Sequence, residues 1–322
     1  MKQILRFILT GLIVLLAIAA GLFGYLIYTP EPAMPALSGT LNKTTLTLDG
    51  ETYTYRLYLP KGLAQNAPLV MVLHGSGQNG AQIRTETGNG FERLADQHGF
   101  AVVYPSGKAF DWNDCSKTGD FLVNGHESND LHYLNTLVDT LIATHGFDPH
   151  RVFATGVSAG GFMSLRLALE SPTRFRAVAA VSANVPAAGN FKCKPAVQGA
   201  SVLLMNGTAD PLVPYAGGEV SLLGLFFQNG QVLSSMASAE FFATKNQLSV
   251  AAQPDAAQSD TENVQRLLWQ DQGRFEVELV TIAGGGHGMP QPYWQRPRLL
   301  GPSPMKPNGP ALIWQFFARQ KP

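Results

Sequence analysis

The chain has 322 residues, of which 45% are hydrophobic and only 14% are charged. Lysines plus arginines equal aspartates plus glutamates at 23 each, which leaves no electrostatic case for nucleic acid or another polyanion as a partner. The length allows one large globular domain or two ordinary ones with ample core, and the weakly charged surface suits an uncharged ligand.

The first segment is apolar and follows two positive charges. Lys2 and Arg6 precede a charge-free stretch at residues 7–29, and at about 1.5 Å per residue a helix of that length would span a bilayer. Tyr25 and Tyr28 lie where interfacial aromatic residues are expected, and no small-residue cleavage site follows directly. We predict an uncleaved membrane anchor at residues 1–29, with a cleaved signal as the alternative. Either one would export the rest of the chain to the periplasm or the extracellular space.

The rest of the chain divides into a proline-rich linker at residues 30–40 and a predicted folded domain at residues 41–322. Alternating patterns on both sides of Asp49 and Gly50 predict an antiparallel hairpin. The continuous apolar run at residues 68–73 is typical of a strand buried on both faces of a parallel sheet.

Predicted helices and strands alternate along the domain. Helices are predicted at residues 91–99, 129–145 and 163–170, and strands at residues 100–105, 151–155, 177–182, 201–206 and 276–282. Ser128 or Asn129 would cap the second helix. Trp112, in the loop after the strand at 100–105, is expected to line a ligand pocket. This alternation predicts an α/β fold, with a mostly parallel central sheet and helices on both faces.

The sequence GVSAGG at residues 156–161 falls between a predicted strand and a predicted helix. A serine at such a sharp turn needs small neighbours, because bulky side chains would collide with the strand and the helix. In this arrangement Ser158 faces solvent at the end of the strand, and the amide of Ala159 can donate a hydrogen bond to an oxyanion. The pattern predicts a nucleophile rather than a surface serine in a glycine-rich turn.

Candidates for an acid and a base follow two later strands. Asp210 comes after the strand at 201–206, and His287 lies in a glycine-rich loop after the strand at 276–282. A carboxylate that accepts from a histidine ring holds it in the tautomer needed of a general base. The order Ser158, Asp210, His287 is that of α/β-hydrolases, so we predict a catalytic triad. Ser76, in the glycine-rich loop at residues 74–80, is expected to supply the second oxyanion amide.

Three further expectations concern metals, cysteines and a lid. The spacing of His126, Glu127 and His132 is not that of a zinc motif, and we expect neither a metal nor a cofactor. Cys115 and Cys193 lie in loops after successive strands of an exported chain, where a disulfide is expected. The segment at residues 217–263, between acid and base, is expected to form a lid, with a packed part of the core as the alternative.

Five motifs in this order resemble the polyhydroxybutyrate depolymerase-like and feruloyl esterase-like group of secreted α/β-hydrolases. They are LHGSGQNG at 73–80, SNDLHYLNTLVDTL at 128–141, DPHRVFATGVSAGGFM at 148–163, NGTADPLVPYAGG at 206–218 and GGGHG at 284–288. The resemblance implies the α/β-hydrolase fold, the same triad, and hydrolysis of feruloyl or acetyl carbohydrate esters or of 3-hydroxybutyrate esters. Group members often carry a Trp-Pro pair after the histidine. Here Met289 and Pro290 stand in that place, and Trp294 is the next candidate substrate contact.

Two other functions remain open. A serine peptidase would use the same triad, and would cleave peptide amides at rates comparable to esters. A non-catalytic anchored binding protein would keep the fold but would typically lose a triad member. We expect a small or oligomeric soluble ester as substrate rather than a polymer surface, because no separate polymer-binding domain is apparent.

Overall fold

A computed structural model of the chain describes residues 2–118, 122–123, 126–222, 224–226, 228–248, 253–254, 263–271 and 275–320. The helices are α1 (Lys2–Leu26), α2 (Gly80–Glu86), α3 (Gly90–His98), α4 (Asp130–His145), α5 (Ala159–Glu170), α6 (Ser235–Lys245) and α7 (Gly309–Arg319). The strands are β1 (Thr40–Leu48), β2 (Glu51–Leu59), β3 (Leu69–Leu73), β4 (Ala101–Pro105), β5 (Leu122–Val123), β6 (His126–Glu127), β7 (Val152–Val157), β8 (Ala177–Val181), β9 (Ser201–Gly207), β10 (Gly218–Glu219), β11 (Gln231–Val232), β12 (Gln253–Pro254), β13 (Val264–Gln270) and β14 (Glu276–Ile282).

Within the described ranges, ten strands form one sheet in the order β1-β2-β4-β3-β7-β8-β9-β14-β13-β12. The six central strands from β4 to β14 run parallel, whereas each edge carries two antiparallel strands. β1 and β2 form the predicted hairpin, with Leu48 opposite Glu51. Every residue of β3, β7, β8 and β9 is buried, as is usual for parallel strands covered on both faces. The predicted mostly parallel sheet is confirmed.

Helices cover both faces of this sheet, and β3 shows how the two cores divide. Successive side chains of a strand point to opposite faces. Leu69 and Met71 belong to the core that α4, α5 and α6 cover, whereas Val70 and Val72 belong to the core that α2, α3 and α7 cover. The expectation of helices on both faces is therefore also confirmed.

Helix α6 lies in the segment that was expected to form a lid. The side chain of Ser234 caps it by accepting a hydrogen bond from the Ala237 amide at 3.1 Å. Ala239 and Phe242 are buried, and the helix packs against β9 and β14. The lid expectation is wrong for this helix, because its apolar residues complete the core instead of covering a pocket. Other parts of that segment, residues 223, 227, 249–252 and 255–262, lie outside the described residues.

Helix α1 is apolar along its length. Within Gln3–Leu26 the most apolar 18-residue stretch has a mean hydropathy of 2.5, and none of that stretch is buried inside the protein. This length and composition fit a membrane span, and a signal sequence has the same properties. An irregular segment joins α1 to β1, which begins at Thr40.

Candidate active site

The carboxyl ends of the parallel strands meet at one edge of the sheet, which is where ligands bind in open α/β sheets. The loops that follow β3, β7 and β14 there border a cavity of about 490 Å³. The described residues that line it are Gly75, Ser76, Gly77, Gln78, Glu86, Asp111, Thr118, Val157, Ser158, Ala159, Phe162, Leu212, Val220, Gln228, Asn229, His287 and Leu300. Ser158 and His287 thus share one pocket.

Ser158 sits at the turn between β7 and α5 with φ 57° and ψ −123°. A residue with a side chain pays a steric cost for positive φ, and such strain persists where the surroundings impose it. The turn packs closely against the end of β3, because a β-carbon on Gly160 would overlap the Leu73 carbonyl oxygen. The small residues around Ser158 therefore allow the backbone to hold the serine in the pocket wall.

His287 is oriented by Asp210, which follows β9. The ring Nδ1 lies 2.9 Å from Oδ2 of Asp210 and 3.1 Å from Oδ1. Because an ionised carboxylate only accepts hydrogen bonds, Nδ1 carries the proton and Nε2 keeps its lone pair. Oδ1 also accepts from the amides of Leu212 and Val213, at 2.8 and 2.9 Å. These contacts fix both the carboxylate and the tautomer of the ring.

The charge on Asp210 is stabilised although its side chain is buried. Burial raises its pKa, but His287 and the amides of Val213 and Leu212 more than offset this and leave the pKa below its usual value. The side chains of Asp210 and His287 are 1% and 6% exposed. A charged carboxylate in so dry a place can stabilise an imidazolium as it forms.

The loop after β3 runs directly beside Ser158. A β-carbon on Gly75 would lie 3.5 Å from the Ser158 Cβ. The Gly75 amide donates to Gln78 Oε1 at 3.0 Å, and the Gly77 amide donates to the Phe110 carbonyl at 2.8 Å. In the described part of the chain, the Ser76 amide has no such acceptor. Both Ser76 and Ala159, whose amide begins α5, line the pocket.

Two aromatic rings support this loop from behind. His74 is fully buried, and its Nε2 accepts from the Gly107 amide at 2.9 Å, so its Nδ1 donates to the Gly75 carbonyl at 2.8 Å. Burial lowers the pKa of His74 to about 4, although the Gly75 carbonyl acts in the opposite direction. The indole of Trp112 is also fully buried and donates to the His74 carbonyl at 2.9 Å. Trp112 is therefore a support beneath the loop, which corrects its expected role as a substrate contact.

Trp294 also lies away from the catalytic pocket. It lines a second cavity of about 390 Å³, together with Tyr25 and Tyr28 near the end of α1. In the same region the guanidinium of Arg298 lies 4.4 Å from the centre of the Tyr25 ring. The expected substrate contact is not made there, because the loop after His287 turns Trp294 toward α1.

Cys115 and Cys193 form a disulfide with their Cα atoms 4.9 Å apart. This bond ties the loop that carries Asp111 and Trp112 to the segment after β8.

Asp111 lines the pocket, and its burial raises its pKa. Hydrogen bonds from the Trp112 amide and the Ser76 side chain act in the opposite direction and offset part of this increase. Among the described residues, no group of three or more histidine, cysteine, aspartate or glutamate side chains could hold a metal ion.

Sequence reasoning missed the second carboxylate of the pocket, Glu86, which ends α2. That helix was not predicted, because it is a single short segment of 7 residues without a repeating apolar pattern. Asn79, whose side chain accepts from the amides of Ala81 and Gln82, was the available signal for a helix start.

A parallel sheet with a serine after β7, an aspartate after β9 and a histidine after β14 defines the class, a serine hydrolase of the α/β-hydrolase fold. The acetyl xylan esterase from Aspergillus awamori shares this fold, with a TM-score of 0.56 at 19% identity over 78% of this chain and 94% of that one. The family model for esterase PHB depolymerase matches residues 53–215, and the chain belongs to that family. It is accordingly a carboxylic ester hydrolase.

Two relatives are similar over most of this chain. NocK from Nocardia uniformis subsp. tsuyamanensis is 29% identical over 289 residues, which cover 85% of this chain and 81% of NocK. Poly(3-hydroxyalkanoate) depolymerase C from Paucimonas lemoignei is 30% identical over 254 residues, or 72% of this chain. The match spans only 58% of the depolymerase, less than two thirds of its length.

Proposed function

We propose that this protein is an exported serine esterase that cleaves uncharged carboxylic esters with Ser158, His287 and Asp210 as its triad. The main support is the pairing of His287 Nδ1 with Asp210 Oδ2 at 2.9 Å, in a pocket that also holds the strained Ser158. A histidine fixed in that tautomer, in the same pocket as a serine at a strand-to-helix turn, has the components that activate a hydroxyl as a nucleophile.

The proposed reaction has two halves. His287 Nε2 takes the Ser158 proton as Oγ attacks the ester carbonyl, and the amides of Ser76 and Ala159 bind the oxyanion. The intermediate collapses to an acyl-serine, and His287 returns the proton to the departing alcohol. Water then attacks the acyl-serine with His287 as base, which releases the carboxylic acid and restores Ser158.

The pocket supports an uncharged ester as substrate. Its described lining contains the carboxyl groups of Glu86 and Asp111 but neither lysine nor arginine, so it offers no cationic side chain to bind an anionic substrate. Phe162, Leu212 and Val220 provide an apolar wall for an acyl group. Feruloyl, acetyl and 3-hydroxybutyrate esters meet these requirements. The name of the Paucimonas relative favours hydroxyalkanoate esters among them.

Export through the first helix is part of this proposal. The most apolar 18-residue stretch within Gln3–Leu26 has a mean hydropathy of 2.5, and Lys2 lies before it, which supports an N-terminal anchor whose positive end stays inside. Fractionation of expressing cells, with N-terminal sequencing of the mature protein, tests it. An intact N-terminus in the membrane fraction supports the anchor, a start after residue 29 indicates a cleaved signal, and a purely cytoplasmic protein would contradict export.

Hydrolysis by the full chain in detergent tests the esterase assignment. The panel would contain p-nitrophenyl acetate and butyrate, methyl ferulate, a 3-hydroxybutyrate oligomer and a peptide p-nitroanilide. Ser158→Ala should abolish turnover. Ser164 on α5 provides the matched control, because its hydroxyl donates to the Gly160 carbonyl at 2.8 Å, and Ser164→Ala should retain turnover. Substantial residual turnover by folded Ser158→Ala would refute the nucleophile, and amide cleavage as fast as ester cleavage would favour a peptidase.

A further inference from the structure

A buried pair of opposite charges lies at the wall of the catalytic pocket, which Glu86 helps to line. Glu86 and Arg296 are 7% and 6% exposed, and Arg296 Nε lies 3.9 Å from Glu86 Oε1. Removing two charges from water costs free energy that their mutual attraction can fail to recover, so a buried ion pair does not by itself indicate a gain in stability. Each partner, however, also holds one of the two loops that the proposed reaction needs.

Glu86 holds the loop after β3. Its Oε2 accepts from Gln78 Nε2 at 2.8 Å, and Gln78 Oε1 accepts from the Gly75 amide at 3.0 Å. A carboxylate only accepts hydrogen bonds, so it forces the NH₂ group of Gln78 toward Glu86 and the oxygen toward Gly75. Glu86 thereby fixes the amide next to Ser76, the expected oxyanion donor.

Arg296 holds the loop after β14. Its Nη1 donates to the His287 carbonyl at 2.6 Å, and its Nη2 donates to the Met289 carbonyl. The residue between them, Gly288, has φ 126°, and a β-carbon there would overlap the guanidinium. The loop therefore wraps around the arginine head group, and this clamp sets the backbone of His287.

The sheet does not join these two loops directly, because β7, β8 and β9 stand between β3 and β14. We propose that Gln78, Glu86 and Arg296 act as one positioning unit, which sets the oxyanion loop and the His287 loop at a fixed separation around Ser158. This inference rests on the proposed function. Stabilisation of the transition state requires the oxyanion donors and the base to be correctly positioned around the ester at the same time. Misplacement of one of these groups by about 1 Å can lower the rate about 100-fold.

Near-isosteric variants test the unit. Gln78→Met, Glu86→Gln and Arg296→Lys should each lower kcat for p-nitrophenyl butyrate by about 10- to 100-fold, with KM changed by no more than about twofold. Affinity for a trifluoromethyl ketone, which forms an oxyanion on the serine, should fall in parallel with kcat/KM. A matched control is Glu92→Gln, because Glu92 is also buried and pairs with Arg84, which does not line the pocket. It should leave kcat within about twofold.

The double variant Gln78→Met/Glu86→Gln separates one unit from independent contacts. If the residues act together, its loss in kcat should be no greater than that of the more damaging single change. If the loss in kcat of the double variant equals the product of the losses of the two single variants, the residues act independently and the proposal of one unit is wrong. A rise in KM that depends on the alcohol group of the ester would overturn it too, since it would indicate that Glu86 touches the substrate.

Two checks keep the outcomes separate. Gln78 is only partly buried, so Gln78→Met should fold even where the buried-charge variants do not, and an unchanged kcat in that variant alone would refute the positioning role. Ser158→Ala is assayed beside it. Absence of any esterase turnover by the wild type would refute the proposed function, whereas turnover that needs Ser158 but is indifferent to Gln78, Glu86 and Arg296 would refute only this inference.

Discussion

The Nδ1 atom of His287 lies 2.9 Å from Oδ2 of Asp210, and Oδ1 of the same carboxylate is held by the amides of Leu212 and Val213. Asp210→Asn keeps the shape of the side chain, but its amide can donate an N–H to Nδ1 of His287. The ring would then carry its proton on Nε2 instead of Nδ1 and could not act as the base. We expect kcat for p-nitrophenyl butyrate to fall by about 10⁴-fold. The exposed Asp139→Asn change should leave it unaltered, and a loss below about tenfold in Asp210→Asn would show that this carboxylate does not orient the base.

The Cys115–Cys193 disulfide closes a long loop, with a sequence separation of 78. On the chain-entropy account, such a bond lowers the entropy of the unfolded chain and contributes about 4 kcal/mol to the free energy of unfolding. Cys115→Ala/Cys193→Ala should lose most of this in urea unfolding. Reductant should destabilise the wild type but not the variant. Two titratable thiols in the native, oxidised protein would contradict the bond.

Asp114 makes stability depend on pH. It is 1% exposed, and burial raises its pKa from 3.8 to about 6, although hydrogen bonds from Ser116 act in the opposite direction. Between these two values the folded protein binds more protons than the unfolded chain, so the free energy of unfolding falls as pH rises. The contribution of Asp114 to this decrease is at most about 3 kcal/mol. Asp114→Asn should flatten this part of the curve, measured by urea unfolding from about pH 4 to about pH 7. A curve that stays as steep would contradict the assignment.

Trp112→Phe separates a structural role from substrate binding. The change removes the hydrogen bond from the indole to the His74 carbonyl, made at 2.9 Å, and leaves that buried acceptor unpaired. The free energy of unfolding should fall by about 1–3 kcal/mol, while KM stays unchanged for every ester in the panel. A KM that rises for aromatic esters only would restore Trp112 as a substrate contact.

Features encoded within one short stretch were predictable from the sequence. The turn at Ser158 depends on its immediate neighbours, since glycine and alanine leave room for the strained backbone. The helix after Asn129 was predictable for the same reason, because the Asn129 side chain caps the His132 amide. The parallel sheet followed from the alternation of buried runs with helical patterns.

Features that depend on distant parts of the chain were not predictable. Trp112 stands in a loop, where an aromatic ring suggests a pocket wall, and only the packing of His74 over it shows that it is buried. The contact between Glu86 and Arg296 joins residues far apart in the sequence, and neither belongs to a motif. The segment that contains α6 was expected to form a lid, because the sequence of its apolar residues does not indicate which neighbours they will contact.

The backbone of Ser158, with φ 57°, sets stability against chemistry at one position of the fold. A residue with a side chain resists that conformation, and glycine would adopt it at little cost. The hydroxyl group that the proposed reaction needs is therefore held at the expense of stability that a glycine at this position would restore.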